Sequence, residues 1–143
     1  MKLKVCWIGK TKDRAIQALT TEYLKRIARY NAVEAQELTG ESALLKSLEK
    51  PAATLVLLDA RGQQLSSEEL ARFLEGHQTR GTQALLFAIG PASGFAESTR
   101  RLAAFQLSLG KMTLPHELAR VVLLEQLYRA FTILKGHPYH LGH

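Results

Sequence analysis

The chain has 143 residues, a net charge of +6 at pH 7 and a single cysteine, Cys6, which cannot form an internal disulfide. This length fits one domain, residues 1–143, whose core needs neither a metal nor a disulfide for stability. No apolar run approaches the roughly 20 residues that span a bilayer, and the N-terminus lacks the apolar core of a signal peptide, so we expect a cytoplasmic protein without a membrane partner.

The positive charge is concentrated at one end of the chain. Residues 1–30 carry eight basic and two acidic side chains, and the remainder carries equal numbers of each. A basic excess gathered on one part of a domain favours a polyanionic partner such as RNA. A solvated basic helix face would give the same pattern, so the charge alone leaves both interpretations open.

The first half of the chain is predicted to form three strands and two helices. Strands are expected at 3–8, 33–38 and 54–59, and helices over about 16–30 and 42–50. Gly9 is expected to end the first strand, and Arg61-Gly62 to end the third. The alternation of strand-like and helix-like spacing predicts a single α/β domain. Cys6 lies in an apolar run, which indicates a small buried hydrophobe rather than a reactive thiol.

The second half continues this alternation. Ser66 and Glu69 form a capping box for a helix expected to reach Glu75, and a turn is expected at 76–81. Strands are predicted at 84–89 and 105–109, and helices at 96–104 and 117–135. Three strand ends therefore carry loops, at 59–62, 90–94 and 110–115. Because ligands of open α/β sheets bind beyond the carboxyl ends of the strands, these loops are the expected pocket.

The last predicted helix is apolar around most of its circumference. Such a helix must be covered on more than one side, which suggests the core on one face and a second subunit on another. Glu125 and Arg129 lie four residues apart on its narrow polar stripe and can form an ion pair. A modest surface pair and a functional arginine are equally compatible with this spacing.

Several kinds of chemistry find no support in the sequence. His137, His140 and His143 recur every third residue but have no acidic or cysteine partner nearby, so no metal site is expected. A Walker lysine, a nucleophile elbow and a dinucleotide fingerprint are also absent from the sequence. What remains is a small-ligand pocket, a basic face and a tail in which Tyr139 and His140 can act in proton transfer. An ordinary frayed terminus is the alternative for the tail.

Several segments together resemble the RlmH family of the SPOUT methyltransferases. The most specific are 108–116, with the sequence SLGKMTLPH, then Arg120-Val121, 125–131 and Pro138-Tyr139-His140. Further agreement at Gly9-Lys10, Glu22-Tyr23, Leu58-Asp59, Leu65 to Glu68 and Ile89-Gly90 extends the likeness over essentially the whole chain.

The resemblance implies an enzyme with a defined reaction. The family transfers a methyl group directly, by an SN2 reaction, from S-adenosylmethionine to N3 of a pseudouridine in large-subunit ribosomal RNA, and it acts as a homodimer. The substrate is expected to be the RNA of the assembled ribosome. The implied fold is a SPOUT-type α/β knot, a parallel sheet flanked by helices in which the C-terminal loops thread to form the cofactor site.

The resemblance and the chemistry of the implied reaction together suggest roles for individual residues. His140 is expected to be the general base, Tyr139 to position the nucleobase, and Arg129 to stabilise the developing negative charge or to bind a phosphate. The cofactor is expected to bind at Leu58, Gly90, Gly110, Lys111, Met112, Thr113, Leu114 and Pro115. The RNA is expected to contact Lys10, Lys12, Lys25, Arg26 and His116.

Three departures from the family pattern leave other functions open. Pro91 stands where a second glycine is usual and has no N–H to offer a cofactor. Gly110 replaces a common serine, and Leu141-Gly142-His143 replaces a terminal basic residue. The first alternative is therefore a catalytically inactive dimeric module that binds RNA or the ribosome. A nucleotide-binding protein of the doubly wound α/β type is the second.

Overall fold

The computed structural model describes residues 1–49 and 52–141 and contains a parallel sheet between two layers of helices. Its strands are β1 (Lys2–Ile8), β2 (Val33–Leu38), β3 (Ala53–Gln64), β4 (Ala84–Ile89) and β5 (Phe105–Ser108). Its helices are α1 (Arg14–Ala28), α2 (Glu41–Ser47), α3 (Ser67–Thr79), α4 (Glu97–Leu102) and α5 (His116–Leu134). The predicted α/β class with a parallel sheet is confirmed.

The strand order is β2-β1-β4-β3-β5, with β4 at the centre. Successive residues of a strand point to opposite faces, so Val5 and Trp7 enter one core while Cys6 and Ile8 enter the other. Helices α1, α3 and α5 contribute to the first core, and α2 packs on the second. Cys6 is 3% exposed, as expected for a buried hydrophobe, and this burial raises the pKa of its thiol to about 11.

Helix α5 packs between α1 and α3 above the sheet. Its side chains Leu123, Leu127 and Phe131 are completely or almost completely buried by elements of the same chain. The apolar side chains around α5 are therefore covered by the same chain and do not require a second subunit. The homodimer remains a prediction. Within residues 1–49 and 52–141, no helix combines the length and apolar content needed to cross a bilayer.

Strand β3 is longer than predicted because Gly62 does not end it. After an irregularity in register at residues 58 to 63, the strand pairs again with β5, through Gln63 with Leu107. A Cβ built on Gly62 would lie 2.5 Å from the carbonyl oxygen of Gln106. Glycine is required here because two backbones approach closely. The sequence alone had indicated the end of the strand at this position.

Helix α3 begins with the predicted capping box, in which Ser66 and Glu69 bond each other's backbone N–H groups. It continues past its predicted end at Glu75, since a single glycine at 76 is tolerated within a helix. The turn expected at 76–81 begins after Thr79, and Gly81 within it adopts a left-handed φ of 74°.

The remaining boundaries differ by a few residues. Helix α2 covers 41–47 rather than 42–50, whose last residue, Lys50, lies outside the described part of the chain. Helix α4 is shorter than the predicted 96–104, whereas β5 and α5 agree with prediction to within one residue. These shifts do not change which loops meet at the end of the sheet.

Candidate active site

The three loops predicted to form a pocket do line one cleft, of about 690 Å³. Its walls come from Leu58 to Ala60 on β3, from the segment 90–95 after β4, and from Gly110, 112–115 and the first residue of α5, His116. This volume lies within the usual range for a small-molecule site. Lys111 belonged to the predicted cofactor set, but its side chain is exposed outside this lining.

The loop before α5 offers free hydrogen-bond donors. In the described part of the chain, the backbone N–H groups of residues 111–114 donate no hydrogen bond to another protein group. Gly110 adopts a φ of 139°, which favours glycine, and its own N–H is bonded to the Ser108 hydroxyl at 3.1 Å. Consecutive free N–H groups beside apolar walls suit a ligand with a flat apolar ring and polar edges.

Close packing shapes the wall formed by β4 and the loop after it. A Cβ built on Gly90 would lie 2.8 Å from the ring of Phe95, which is itself buried. Glycine is therefore required for the loop to fold back against the strand end. The next residue, Pro91, has no N–H, so no donor is available at that point of the cleft.

An ion pair between Asp59 and Arg100 anchors this wall. Both side chains line the cleft and are largely shielded from solvent. Asp59 also accepts the N–H of Arg61 at 2.8 Å, and Arg100 donates from Nε to the carbonyl oxygen of Phe95 at 3.2 Å. The pair therefore connects β3 to the loop after β4, a role that sequence analysis missed although Asp59 directly follows a buried strand.

The loop from Gly9 to Asp13, called the rim loop below, is held by two carboxylates. Glu117 accepts the N–H groups of Lys12 and Asp13 at 3.0 and 3.3 Å. Glu37 accepts the N–H and hydroxyl of Thr11 at 3.0 Å. These contacts place the predicted RNA-binding residue Lys12 beside the first turn of α5.

The predicted RNA-binding residues fall into two groups. Exposed Lys10 and Lys12 lie on the rim loop, next to His116, which lines the cleft. Lys25 and Arg26 lie at the opposite end of α1, where Arg26 is paired with Glu22 at 2.7 Å. Both groups belong to the basic N-terminal region, but only the first adjoins the cleft.

A buried arginine beneath the rim loop was not anticipated. Arg120 is 1% exposed and its guanidinium carbon lies 3.9 Å from the centre of the Trp7 ring. Burial lowers its pKa, whereas the nearby charges of Glu117 and Glu37 act in the opposite direction. Arg120-Val121 belongs to the segments that carry the family resemblance, but nothing in the sequence indicated that this arginine is buried.

The three predicted catalytic residues lie together at the other end of α5. Arg129 donates from Nη1 to Nδ1 of His140 at 3.0 Å, and from Nη2 to Glu125 at 2.8 Å. The Tyr139 hydroxyl donates to the same carboxylate at 2.7 Å. We refer to Glu125, Arg129, Tyr139 and His140 as the tail cluster. The predicted ion pair of Glu125 and Arg129 is thus confirmed, and the described part of the tail packs on α5 instead of fraying.

The surroundings of the tail cluster fix the state of Tyr139. Its ring packs edge-on against Tyr128, with centres 4.7 Å apart. Burial, followed by the hydrogen bond to Glu125, raises the pKa of Tyr139 well above its usual range. Tyr139 therefore keeps its proton at neutral pH and acts as a hydrogen-bond donor.

The cleft and the tail cluster are well separated within one chain. Helices α1 and α5 run side by side in the same direction, since Glu117 contacts the start of α1 and Tyr128 contacts Tyr23 near its end. Between His116 at the cleft and Arg129 in the tail cluster, α5 rises about 20 Å. One chain thus carries both predicted groups, but at opposite ends of this helix pair.

Comparison with known proteins identifies the family. The family model described as "Predicted SPOUT methyltransferase" matches residues 1–140. The chain belongs to the SPOUT methyltransferase family. It is 62% identical to a protein of Koribacter versatilis named "Ribosomal RNA large subunit methyltransferase H", with both chains covered completely. A protein of the same name from Geotalea daltonii is 46% identical over 98% of this chain and 99% of its own length.

Solved structures agree on the SPOUT fold at low sequence identity. A probable methylase family protein of Haemophilus influenzae superposes with a TM-score of 0.61 at 12% identity, covering 96% of this chain and 69% of that one. The SpoU methyltransferase AviRb of Streptomyces viridochromogenes was solved with its cofactor AdoMet and gives a TM-score of 0.50 at 13% identity. This match covers 90% of the present chain but only 57% of AviRb.

These findings confirm the resemblance to the RlmH family and the SPOUT α/β fold. The SPOUT knot, the threading of the C-terminal loops, stays a prediction. The roles assigned to individual residues also stay predictions, since the comparisons concern the chain as a whole.

Proposed function

We propose that this protein methylates N3 of a pseudouridine in large-subunit ribosomal RNA, using S-adenosylmethionine. The observation that carries the proposal is the cleft, where loops from three neighbouring strands meet and free N–H groups face apolar walls. The name of the relatives, ribosomal RNA large subunit methyltransferase H, supports the substrate class. A cytoplasmic location, with the assembled ribosome as partner, belongs to the same proposal.

The cleft has the chemistry that this cofactor needs. Leu58 and Leu114 offer apolar surface for the adenine ring, and the free N–H groups of 111–114 offer donors for its polar edges. Gly90 lets the loop after β4 fold back against the strand end and so shapes the cleft wall, and Pro91 contributes shape alone. When bound, S-adenosylmethionine supplies an electrophilic methyl group for direct transfer.

The tail cluster has the chemistry to activate the nucleobase. An imide nitrogen is nucleophilic only after it loses its proton, and His140 is the proposed base. Its Nδ1 accepts a hydrogen bond from Arg129, so in this arrangement the neutral ring carries its proton on Nε2. Nδ1 is therefore the atom that would take the substrate proton, with the nucleobase N–H replacing Arg129 as its hydrogen-bond donor while Arg129 stays bonded to Glu125. Arg129 is then free to stabilise the negative charge on the deprotonated base.

The separation of about 20 Å between cleft and tail cluster makes a second copy of the chain part of this proposal. In a homodimer, the tail cluster of one subunit would act at the cleft of its partner. Lys10, Lys12 and His116 at the cleft, with Lys25 and Arg26 near the tail, would then flank one RNA-binding surface. Each active site would be composite.

Two measurements test the proposed function. Calorimetry should detect S-adenosylmethionine binding to the purified protein, and mass spectrometry should find the methylated pseudouridine missing from ribosomes of a deletion strain and restored by the wild-type gene. A protein that binds no cofactor, or a deletion strain with unchanged ribosomal RNA, would refute the proposal.

Subunit mixing tests the composite site. A His140→Ala subunit and a Gly90→Ala subunit, each strongly impaired alone when the cofactor concentration is held well below the Kd of Gly90→Ala, should regain part of the activity when mixed, because one combination of tail and cleft is intact. Sedimentation should show a dimer under the same conditions. No recovery in mixed dimers would mean that each chain uses its own tail.

The alternative is a dimeric RNA-binding or ribosome-binding module without catalysis. Pro91 favours it, because a donor N–H is missing from the cleft wall. Ribosome binding without detectable affinity for S-adenosylmethionine would support this alternative against the enzyme.

A further inference from the structure

One carboxylate holds the whole tail cluster together. Glu125 accepts hydrogen bonds from Arg129 through both oxygens, at 3.3 Å from Nε and 2.8 Å from Nη2. The oxygen bonded to Nη2 also accepts the Tyr139 hydroxyl, and the other accepts the side-chain amide of Gln126 at 3.1 Å. Through Arg129 the same group reaches His140. Glu125 therefore has a direct or indirect contact with every proposed catalytic residue.

We propose that Glu125 is a positioning residue for the methyl transfer. This inference rests on the proposed function and adds a residue to which the family resemblance assigned no role. Glu125 holds Arg129 and Tyr139 directly and orients His140 through Arg129. It contacts the residues that act on the nucleobase rather than the nucleobase itself.

The geometry explains why a charged group is needed at this position. No helix or strand follows Leu134 in the described part of the chain, so side-chain bonds to α5 make a large contribution to holding the tail. Glu125 and Arg129 are both less than one-fifth exposed, where an ion pair with two hydrogen bonds is stronger than at the surface. The carboxylate also accepts the Tyr139 hydroxyl at 2.7 Å, which fixes the direction of that O–H group.

Neighbouring groups reinforce this arrangement. Gln126, which bonds Glu125, accepts the Ser67 hydroxyl of α3 at 2.6 Å, so the carboxylate is fixed from a second helix. Glu68, also on α3, lies 3.6 Å from Nε2 of His140. Arg129 contacts Nδ1 of the imidazole ring, and Glu68 lies on the side of Nε2. These two neighbours fix the orientation of the ring and favour the tautomer that carries its proton on Nε2.

The first test compares Glu125→Gln with Glu97→Gln. Glu97 forms an exposed ion pair with Arg101 four residues along α4 and is the matched control. We expect kcat for ribosomal RNA methylation to fall about tenfold to a hundredfold in Glu125→Gln, the effect of one hydrogen bond to a charged group. Because Glu125 contacts the tail residues and does not belong to the cleft lining, KM and Kd for S-adenosylmethionine should stay within about twofold. Wild-type kcat in Glu125→Gln, or an equal loss in Glu97→Gln, would overturn the proposal.

A second test separates positioning from general destabilisation. If Glu125 acts through Arg129 and Tyr139, Glu125→Gln should cause little further loss in an Arg129→Lys, Tyr139→Phe background. A full additional loss in that background would overturn the proposal.

The third test needs no catalysis. In the wild type, the ring nitrogens of His140 should give the ¹⁵N NMR pattern of the Nε2–H tautomer. In Glu125→Gln this preference should weaken while the spectrum of the core is unchanged. An unchanged His140 spectrum in Glu125→Gln would overturn the positioning role. Absence of methyl transfer in the wild type would refute only the proposed function and would leave this NMR test valid.

Discussion

The cleft and the tail cluster lie at opposite ends of the α1 and α5 pair and are built in opposite ways. The cleft is an open space whose loop before α5 leaves four consecutive N–H groups without partners among the residues that the structure describes. The tail cluster is closed, and one carboxylate there receives hydrogen bonds from three side chains. Free donors suit the binding of a ligand, whereas a saturated network suits the precise placement of reacting groups. Under the proposed function, cofactor binding belongs to the cleft and activation of the nucleobase belongs to the tail cluster.

The largest expected effect comes from the tail. Replacing His140 by Ala should lower the methylation rate by about a hundredfold to ten-thousandfold, the contribution of a general base. Cofactor affinity, measured by calorimetry, should be unchanged. A loss of affinity in this variant would show that the two ends of the helix pair are not independent.

Gly90→Ala is the reciprocal experiment at the cleft. The added Cβ would lie 2.8 Å from the buried Phe95 ring, so the loop must shift. We expect cofactor affinity to fall about tenfold to a hundredfold, as for an overpacked site, while the NMR signals of Tyr139 and His140 stay in place. Gly40→Ala is the control, since in the described part of the chain no atom beyond its immediate neighbours lies within 4 Å of a Cβ built there.

Removing the anchor of the cleft wall should have a moderate effect on stability. Arg100→Gln breaks the ion pair with Asp59 and should lower the free energy of unfolding by about 2 kcal/mol. Urea denaturation measures this change. The adjacent Arg101→Gln is the control: its side chain is 77% exposed, and its removal should change stability by less than about 0.5 kcal/mol. Equal effects of the two variants would argue against the anchor.

The smallest expected effect concerns the rim loop. Hydrogen bonds, of which that from Trp7 is the largest, hold the pKa of Glu37 below its usual range. Its stabilising contribution is therefore present above the unfolded pKa of about 4.3 and is lost as the pH falls through the lower, folded pKa. Glu37→Gln should remove a pH-dependent part of the unfolding free energy of at most about 0.5 kcal/mol, as expected for an exposed group. Glu75→Gln, on the exposed face of α3, is the control for the removal of one surface carboxylate.

Features set by local sequence were predictable. Strand β4 and the capping box of α3 agree with prediction, and the three strand-end loops meet because parallel strands end at the same edge. Glycines were the main source of error. Gly62 allows close backbone contact and Gly76 sits within a helix, yet both were interpreted as chain breaks.

Contacts between distant residues could not be predicted from spacing. Glu117 and the N–H of Lys12 are 105 residues apart, and Arg100 meets Asp59 only because β3 and α4 flank the same cleft. The apolar pattern of α5 was correctly interpreted as burial on several sides, but it does not say which chain provides the cover. That assignment requires the packing of α1 and α3.

The burial of Cys6 has a practical consequence for spectroscopy. With 3% exposure and a thiol pKa of about 11, Cys6 should resist labelling at neutral pH. A cysteine introduced at Met112 beside the cleft or at Leu141 in the tail, positions 86% and 87% exposed, would then be the reactive thiol of the chain. Spin labels or fluorophores at these two positions on separate subunits would report the distance from tail to cleft directly, without any change to the core.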